Sequence, residues 1–363
     1  MTSTRFPAAG PAPAPGALSR RHALLLGAGG LLARLGGARR AEAAEAPVVE
    51  KTAKVAPNLY ELVFSRTTGL VHVASAGQRD QNNAAILGLD PHSLAVRSTI
   101  TPDEPAFGLG LNDRAGVLYT TNTRSGSVSM IDARSGKLLA KLVRGEKAHV
   151  RQVVVDEAND RAFVSVPGFQ GAGSGIWVIK GQEIAQAFED GLPGGLSALA
   201  ADVAGNRLFA ASLASNEVLE IGLADGKVVR RFPSGGEGAI NLAFDAAGRR
   251  LFVANQKSGT LTVLDASSGN LVKSIPTGDG ALGVTLAADG TVYVANRGAG
   301  TVSLVDGRSL EVRASLATGT HPNTVAVDRE SGLAYVSNKA RSAGRGQPPV
   351  DDPNGDTVSI IRA

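Results

Sequence analysis

The stretch RRLFVAN, residues 249–255, recurs in degenerate form along the whole chain. Its copies are GLVHVAS (69–75), GVLYTTN (116–122), DRAFVSV (160–166), NRLFAAS (206–212), GTVYVAN (290–296) and GLAYVSN (332–338), seven units in all. Their last residues lie 47, 44, 46, 43, 41 and 42 positions apart. A period of roughly 40–45 residues made of short strands is that of a β-propeller blade.

Each unit carries more than its anchor. An apolar run ending in a turn former precedes it, as in AINLAFD (239–245), and an alternating run follows it, as in GTLTVLD (259–265). A fourth run comes after a short turn, as in NLVKSI (270–275). Four strands with AAGR, SSGN and RSGK at the hairpins predict an all-β, seven-bladed β-propeller of four-stranded antiparallel blades.

The last unit stops at DTVSIIRA (356–363), a third strand with no fourth, while VVEKTAKVAPN (48–58) matches a fourth strand with nothing before it. An unclosed ring would leave sheet edges unpaired. Residues 48–55 are therefore expected to complete the last blade by pairing with the C-terminal strands.

The formal charge of +4 suggests a polyanion partner, but six arginines and one acid sit in residues 1–43. Without them Lys plus Arg falls from 37 to 31 and Asp plus Glu from 33 to 32, so the remainder has no global positive field. Ser19-Arg20-Arg21-His22-Ala23-Leu24 resembles a twin-arginine export motif, followed by the apolar run 23–33 and a small-residue site at Ala41-Glu42-Ala43. Eleven apolar residues are too few to span a bilayer. The expectation is a cleaved leader (1–43), a single propeller domain (44–363), a soluble periplasmic location without stable membrane insertion, and a monomer. Zero cysteines exclude disulfides, lipoprotein anchoring, thiolate metal sites and c-type haem attachment.

Most repeat residues read as scaffold. Asp132, Asp265 and Asp306 end third strands, and Asp156, Asp202, Asp245 and Asp328 end first strands, where Asp accepts turn amides. Asn122, Asn255, Asn296 and Asn338 at second-strand ends are expected to serve the loop that follows. Function should sit where the repeat is broken. Three loops after second strands are long, 75–84, 167–175 and 339–356, in blades 1, 3 and 7.

Aligning innermost strands on their turns gives a column Glu61, Gly108, Gln152, Ala198, Asn241, Gly283, Thr324, assigned to the channel by strand alternation. Two residues deeper the column is small and mostly apolar. A ligand is thus expected at the channel mouth, among Tyr60, Glu61, Phe107, His149, Arg151, Gln152, Asn241, His321 and Asn323. The competing reading makes Tyr60 and Phe107 inter-blade core and pairs Glu61 with Arg151. His149, His321 and Glu61 are the one conceivable metal set, and no metal or other cofactor is assigned. No catalytic residue is assigned either, since G-x-S-x-G and G-x-x-x-x-G-K-[ST] motifs are absent. The single Trp177 argues against blade-by-blade tryptophan docking.

The strings RRLFVANQKSGTLTVLDASSGNLVKSIPTG, PNLYELVFS, PAFGLGLN, GIWVIKG and THPNTVAVD…AYVSNKA carry a resemblance. From about residue 50 to the end, the chain is similar to the YncE-like periplasmic seven-bladed propellers with YVTN-type, WD40-like repeats. That resemblance implies a binding protein without catalytic activity, with single-stranded DNA as a ligand attributed to the family. A base would stack on Tyr60 or Phe107 while Arg151, Lys257, Arg297 and Lys339 meet phosphates. Two other classes stay open: a lactonase-like or metal-assisted hydrolase using Glu61, His149, Arg151 and His321, and an envelope scaffold protein without a small ligand.

Overall fold

A computed structural model describes residues 46–78, 81–145, 148–168, 173–343 and 350–363. The expected leader, residues 1–43, lies outside the described residues. Each repeat forms one four-stranded antiparallel sheet, and seven such sheets make the ring. The innermost strands are Leu59–Ser65, Gly108–Asn112, Val153–Asp156, Leu196–Asp202, Ala239–Asp245, Ala281–Leu286 and Pro322–Val327, in blades 1 to 7.

Blade 7 is assembled from both ends of the chain. Its strands, from the centre outward, are Pro322–Val327, Ala334–Asn338, Thr357–Arg362 and Val48–Lys54. The pairing runs from Val48 opposite Arg362 to Lys54 opposite Thr357, with one bulge between Val49 and Lys51. Thr52 and Ser359 hydroxyls meet at 2.8 Å across it, and Val55 N–H donates to the Asp356 carbonyl at 3.0 Å. Closure by residues 48–55 is therefore what the structure shows.

The core is divided by seam. Its described residues fall into seven apolar clusters, each joining two adjacent blades. Phe209 with Leu251 and Val253 holds blade 4 to blade 5; Leu59 and Leu62 with Tyr335 and Ile360 hold blade 1 to blade 7. Trp177 is buried with Tyr119 and Met130 between blades 2 and 3. Each seam packs the face of one twisted sheet on the next, so removal of apolar surface from water stabilises the ring without a central core.

The aspartates behave as turn residues. Asp265 accepts from the amides of Ser267 and Ser268 at 3.0 and 2.7 Å, and Asp306 from Arg308 and Ser309 at 2.9 and 2.7 Å. Asp156, Asp202 and Asp245 also pair with Arg161, Arg207 and Arg250 at 2.8, 2.8 and 3.1 Å. Each arginine lies over a phenylalanine two residues on, Phe163, Phe209 or Phe252.

The asparagines do something other than expected. They are buried and point away from the following loop, tying the second strand to the third. Asn122 Nδ2 donates to Ser129 Oγ at 2.8 Å, Asn255 Nδ2 to Thr262 Oγ1 at 2.9 Å, Asn296 Nδ2 to Ser303 Oγ at 2.9 Å and Asn338 Nδ2 to Ser359 Oγ at 3.0 Å. The hydroxyls pass the chain on to the connection entering the blade: Ser303 Oγ donates to the Thr277 carbonyl at 2.9 Å, and Ser359 Oγ to Thr318 at 3.3 Å. That connection passes so close that a Cβ on Gly236 or Gly319 would lie 2.6 or 2.8 Å from the Asn255 or Asn338 amide carbon. Only glycine fits there.

Asn338→Ala should lower stability to urea by about 2–3 kcal/mol, because the Thr357 and Ser359 hydroxyls lose a buried donor in the closing blade. Lys227→Ala at an exposed turn should stay within about 0.5 kcal/mol. Equal midpoints for the two variants would show that the asparagine network carries no stability.

Candidate functional site

Bulges at the start of the innermost strands build the channel mouth. In blades 4 to 7 the first-to-second-strand register slips by one at Ser197, Ile240, Leu282 and Asn323. In blade 1 the slip takes in Tyr60 and Glu61. An extra residue in one strand is left unpaired and re-aims its side chain. Phe107 and Arg151 take the corresponding places in blades 2 and 3, where their amides donate to Thr121 and Ser165 carbonyls. These residues line a cavity of about 860 Å³ to which all seven blades contribute.

The rim ring is thus Tyr60, Phe107, Arg151, Ser197, Ile240, Leu282 and Asn323. It lies one residue ahead of the column that simple alternation assigns to the channel. Two members of that column face the next blade as well. Glu61 Oε2 accepts the Leu109 amide at 3.0 Å, and Gln152 Oε1 accepts the Leu199 amide at 2.7 Å. Both amides are on inner strands, whose channel-facing edge has no further strand to pair with. Gly108 and Gly283 are packed against the Arg151 and Asn323 carbonyls of the following blades, leaving no room for side chains. Asn241 and Thr324 line the narrow channel below the mouth, with Gln152 and Gly283.

Charge at the mouth is one-sided. Arg151, Lys257 and Arg297 line the cavity with His149, against one carboxylate, Glu61, among the described lining residues. Burial pushes Glu61 up from 4.5 to about 7, opposed by the Leu109 N–H and by Arg151. Burial also lowers Arg151, with Glu61 pulling the other way. Among the described residues the Arg151 side chain has neither a hydrogen-bond nor an ion-pair partner, so the expected Glu61–Arg151 pair is an electrostatic influence without a contact. His149 is lowered by burial and then by Arg151, which favours the neutral imidazole.

The two rings are packed together. Tyr60 and Phe107 meet edge to face with centroids 4.7 Å apart, across the seam of blades 1 and 2. Lys339 lies over the Tyr60 ring at 3.7 Å and donates to its hydroxyl; Arg124 lies over Phe107 at 5.3 Å. Both rings are partly exposed at the rim, so they combine seam packing with a wall of the cavity.

Of the sequence-predicted residues, the structure brings Tyr60, Glu61, Phe107, His149, Arg151, Asn323, Lys257 and Arg297 into one cavity. Lys339 reaches it through Tyr60. His321 is elsewhere: it lines a separate cleft between blades 6 and 7. The set Glu61, His149 and His321 is therefore not gathered at the mouth, and among the described residues no group of three or more His, Asp or Glu could hold a metal ion. Thr123, Gln256 and Arg124 were missed. Thr123 and Gln256 directly follow the second-strand Asn122 and Asn255, a spacing that marks the position.

The opposite end of the channel has a different balance. There, cavities of about 810 and 790 Å³ mix Asp113, Asp156 and Asp245 with Arg66, Arg250 and Arg329, and the Arg66–Asp113 and Arg250–Asp245 ion pairs close at 3.2 and 3.1 Å. The cationic excess belongs to the mouth.

Comparison with known proteins now bears on this site. The uncharacterized protein YncE of Escherichia coli K12 is 29% identical to the chain, the match covering 49% of this chain and 52% of YncE. The chain is homologous to YncE. The YncE of Escherichia coli O157:H7 gives the same identity and coverage, and that of Salmonella typhi is 28% identical over the same shares. The match spans about half the length of these curated relatives. No family model matches the chain. Among solved structures, a chain of Kuenenia stuttgartiensis hydrazine synthase superposes with a TM-score of 0.64 at 16% identity, covering 79% of this chain and 94% of that one. At that identity the likeness is one of fold.

Glu61 makes stability depend on pH. A carboxyl whose folded-state pKa is raised contributes stability fully below its unfolded value, near 4.5, and loses it as pH rises through about 7. Glu61→Gln keeps an acceptor for Leu109 and does not ionise. Wild type should lose stability relative to this variant between pH 5 and 8, the gap approaching about 3 kcal/mol. A pH-independent gap in urea midpoints would contradict the assignment.

Proposed function

We propose that the protein is a non-catalytic binding propeller that takes an anionic ligand at the channel mouth, with single-stranded DNA as the leading ligand. The observation that carries this reading is the Arg151 side chain, without a hydrogen-bond or ion-pair partner among the described residues, lining a cavity with Lys257 and Arg297 beside the Tyr60 and Phe107 rings. A desolvated guanidinium that forms no direct ion pair among the described residues favours an incoming oxyanion, and aromatic walls accept bases of any sequence. Homology to YncE and the propeller fold are consistent with a binding role.

The geometry favours binding over hydrolysis. Glu61, the one carboxylate among the described residues lining the mouth, accepts the Leu109 amide, and His321 lies outside that cavity. An envelope scaffold role would give no reason for the Arg151 side chain to lack an ion pair among the described residues. The Arg20-Arg21 motif with its apolar run and Ala41-Glu42-Ala43 supports an exported, periplasmic protein.

Titration with a fluorescent oligothymidylate tests the reading. Binding should weaken as salt rises, with a log–log slope of about −2 from three mouth cations at roughly −0.7 each. Arg151→Ala should weaken it about tenfold with unchanged thermal unfolding. Salt-insensitive binding, or no binding at low salt, would overturn nucleic acid as the ligand.

A further inference from the structure

The cleft between blades 6 and 7 is a cavity of about 450 Å³, walled by Arg297, Thr318, Thr320, His321, Arg341 and Asn354 and by the backbone of 298–300. No carboxylate is among its described lining residues. Arg297 lines this cleft and the mouth alike. One of its nitrogens, Nη1, donates to Asn323 Oδ1 at 3.1 Å at the mouth, and a guanidinium presents five N–H groups in a fixed fork. Arg341 is exposed, with its amide donating to Asp352 at 2.9 Å, and no hydrogen bond engages its guanidinium among the described residues.

The backbone here is held under strain. His321 has φ 45°, a left-handed conformation disfavoured for a residue with a Cβ and further disfavoured before Pro322. The Lys339 amide donates to its carbonyl at 3.1 Å, fixing the cleft wall to the start of the blade 7 loop. Such strain costs about 1–3 kcal/mol and persists at functional sites where the surroundings enforce it. The carboxylates nearby limit the field without filling the cleft. Asp352 accepts from Thr320 Oγ1 at 2.8 Å as well as from Arg341, and Asp279 lies against Gly298 at the edge.

We propose that this cleft is a second oxyanion subsite, between Arg297 and Arg341, that holds one phosphate of a ligand whose adjacent phosphate sits at the mouth on Arg151 and Arg297. The inference rests on the mouth being an anion site, and extends it to ligands with at least two phosphates. Arg297 is the residue that the two cavities share, so the two anions would lie on either side of it.

Two probes on the full protein separate the subsites: thymidine 5′-monophosphate, with one phosphate, and 5′-phosphorylated dithymidylate, with two. Wild type should bind the second at least about tenfold tighter, since the linked second contact is intramolecular. Arg341→Ala should remove most of that advantage and leave the monophosphate within about twofold, and Arg341→Lys should restore part of it. Arg151→Ala should weaken both probes. Inorganic pyrophosphate distinguishes the sources: an equal Arg341→Ala effect on it identifies a free oxyanion as the ligand, and no pyrophosphate binding identifies a nucleic-acid backbone. An unchanged ratio of the two probes in Arg341→Ala overturns the cleft subsite. Unchanged binding of both probes in Arg151→Ala overturns the mouth reading instead.

Discussion

Seven four-stranded sheets close into a ring only if the seventh obtains its outer strand from the other end of the chain. The pairing of Val48–Lys54 with Thr357–Arg362 meets that constraint, and the rest of the molecule depends on it. It leaves each sheet packed on two neighbours, so the apolar residues sort into seven seams instead of one centre. In blades 5, 6 and 7 the buried asparagine and the hydroxyl beside it fix the incoming connection to the third strand. With the scaffold satisfied in this way, the loops at the channel mouth are free to carry charge.

The mouth shows how residues 44–363, near neutral as a whole, present a local cationic site. Bulges turn Ser197, Ile240, Leu282 and Asn323 toward the opening, and Tyr60, Phe107 and Arg151 complete the ring. Just beneath, Glu61 and Gln152 accept inner-strand amides that no further strand pairs. Glu61, the single carboxylate among the described lining residues, is thereby drawn into the scaffold, and its burial raises its proton affinity. Arg151, Lys257 and Arg297 then face the cavity with little opposing charge, whereas ion pairs neutralise much of the opposite end.

The fold was legible because blade formation is a local, repeated pattern. RRLFVAN and its copies mark every second strand, and the unmatched ends mark the closure. Site residues were legible in identity but not in role. The expected column, with Glu61, Gln152, Asn241, Gly283 and Thr324, does line the channel below the mouth, but the extra residue of each bulge adds a rim above it, such as Tyr60 and Ile240, and alternation counted from the turn cannot register that. The Lys339–Tyr60 contact joins residues 279 positions apart, and the Arg124–Phe107 contact depends on a loop's path. The asparagines were misread because Asn at a strand end is ordinarily a turn residue, and here burial beside Ser129, Thr262, Ser303 and Ser359 overrides that preference. His321 was expected at the mouth with Asn323, but it lines the cleft between blades 6 and 7, with its backbone left-handed.

The most direct test is a crystal structure of the protein grown with a short oligothymidylate. The account predicts density at the mouth, with a phosphate on the Arg151 guanidinium and a base against Tyr60 or Phe107. A ligand bound at the opposite end of the channel or along the outer strands, with the mouth unoccupied, would contradict it.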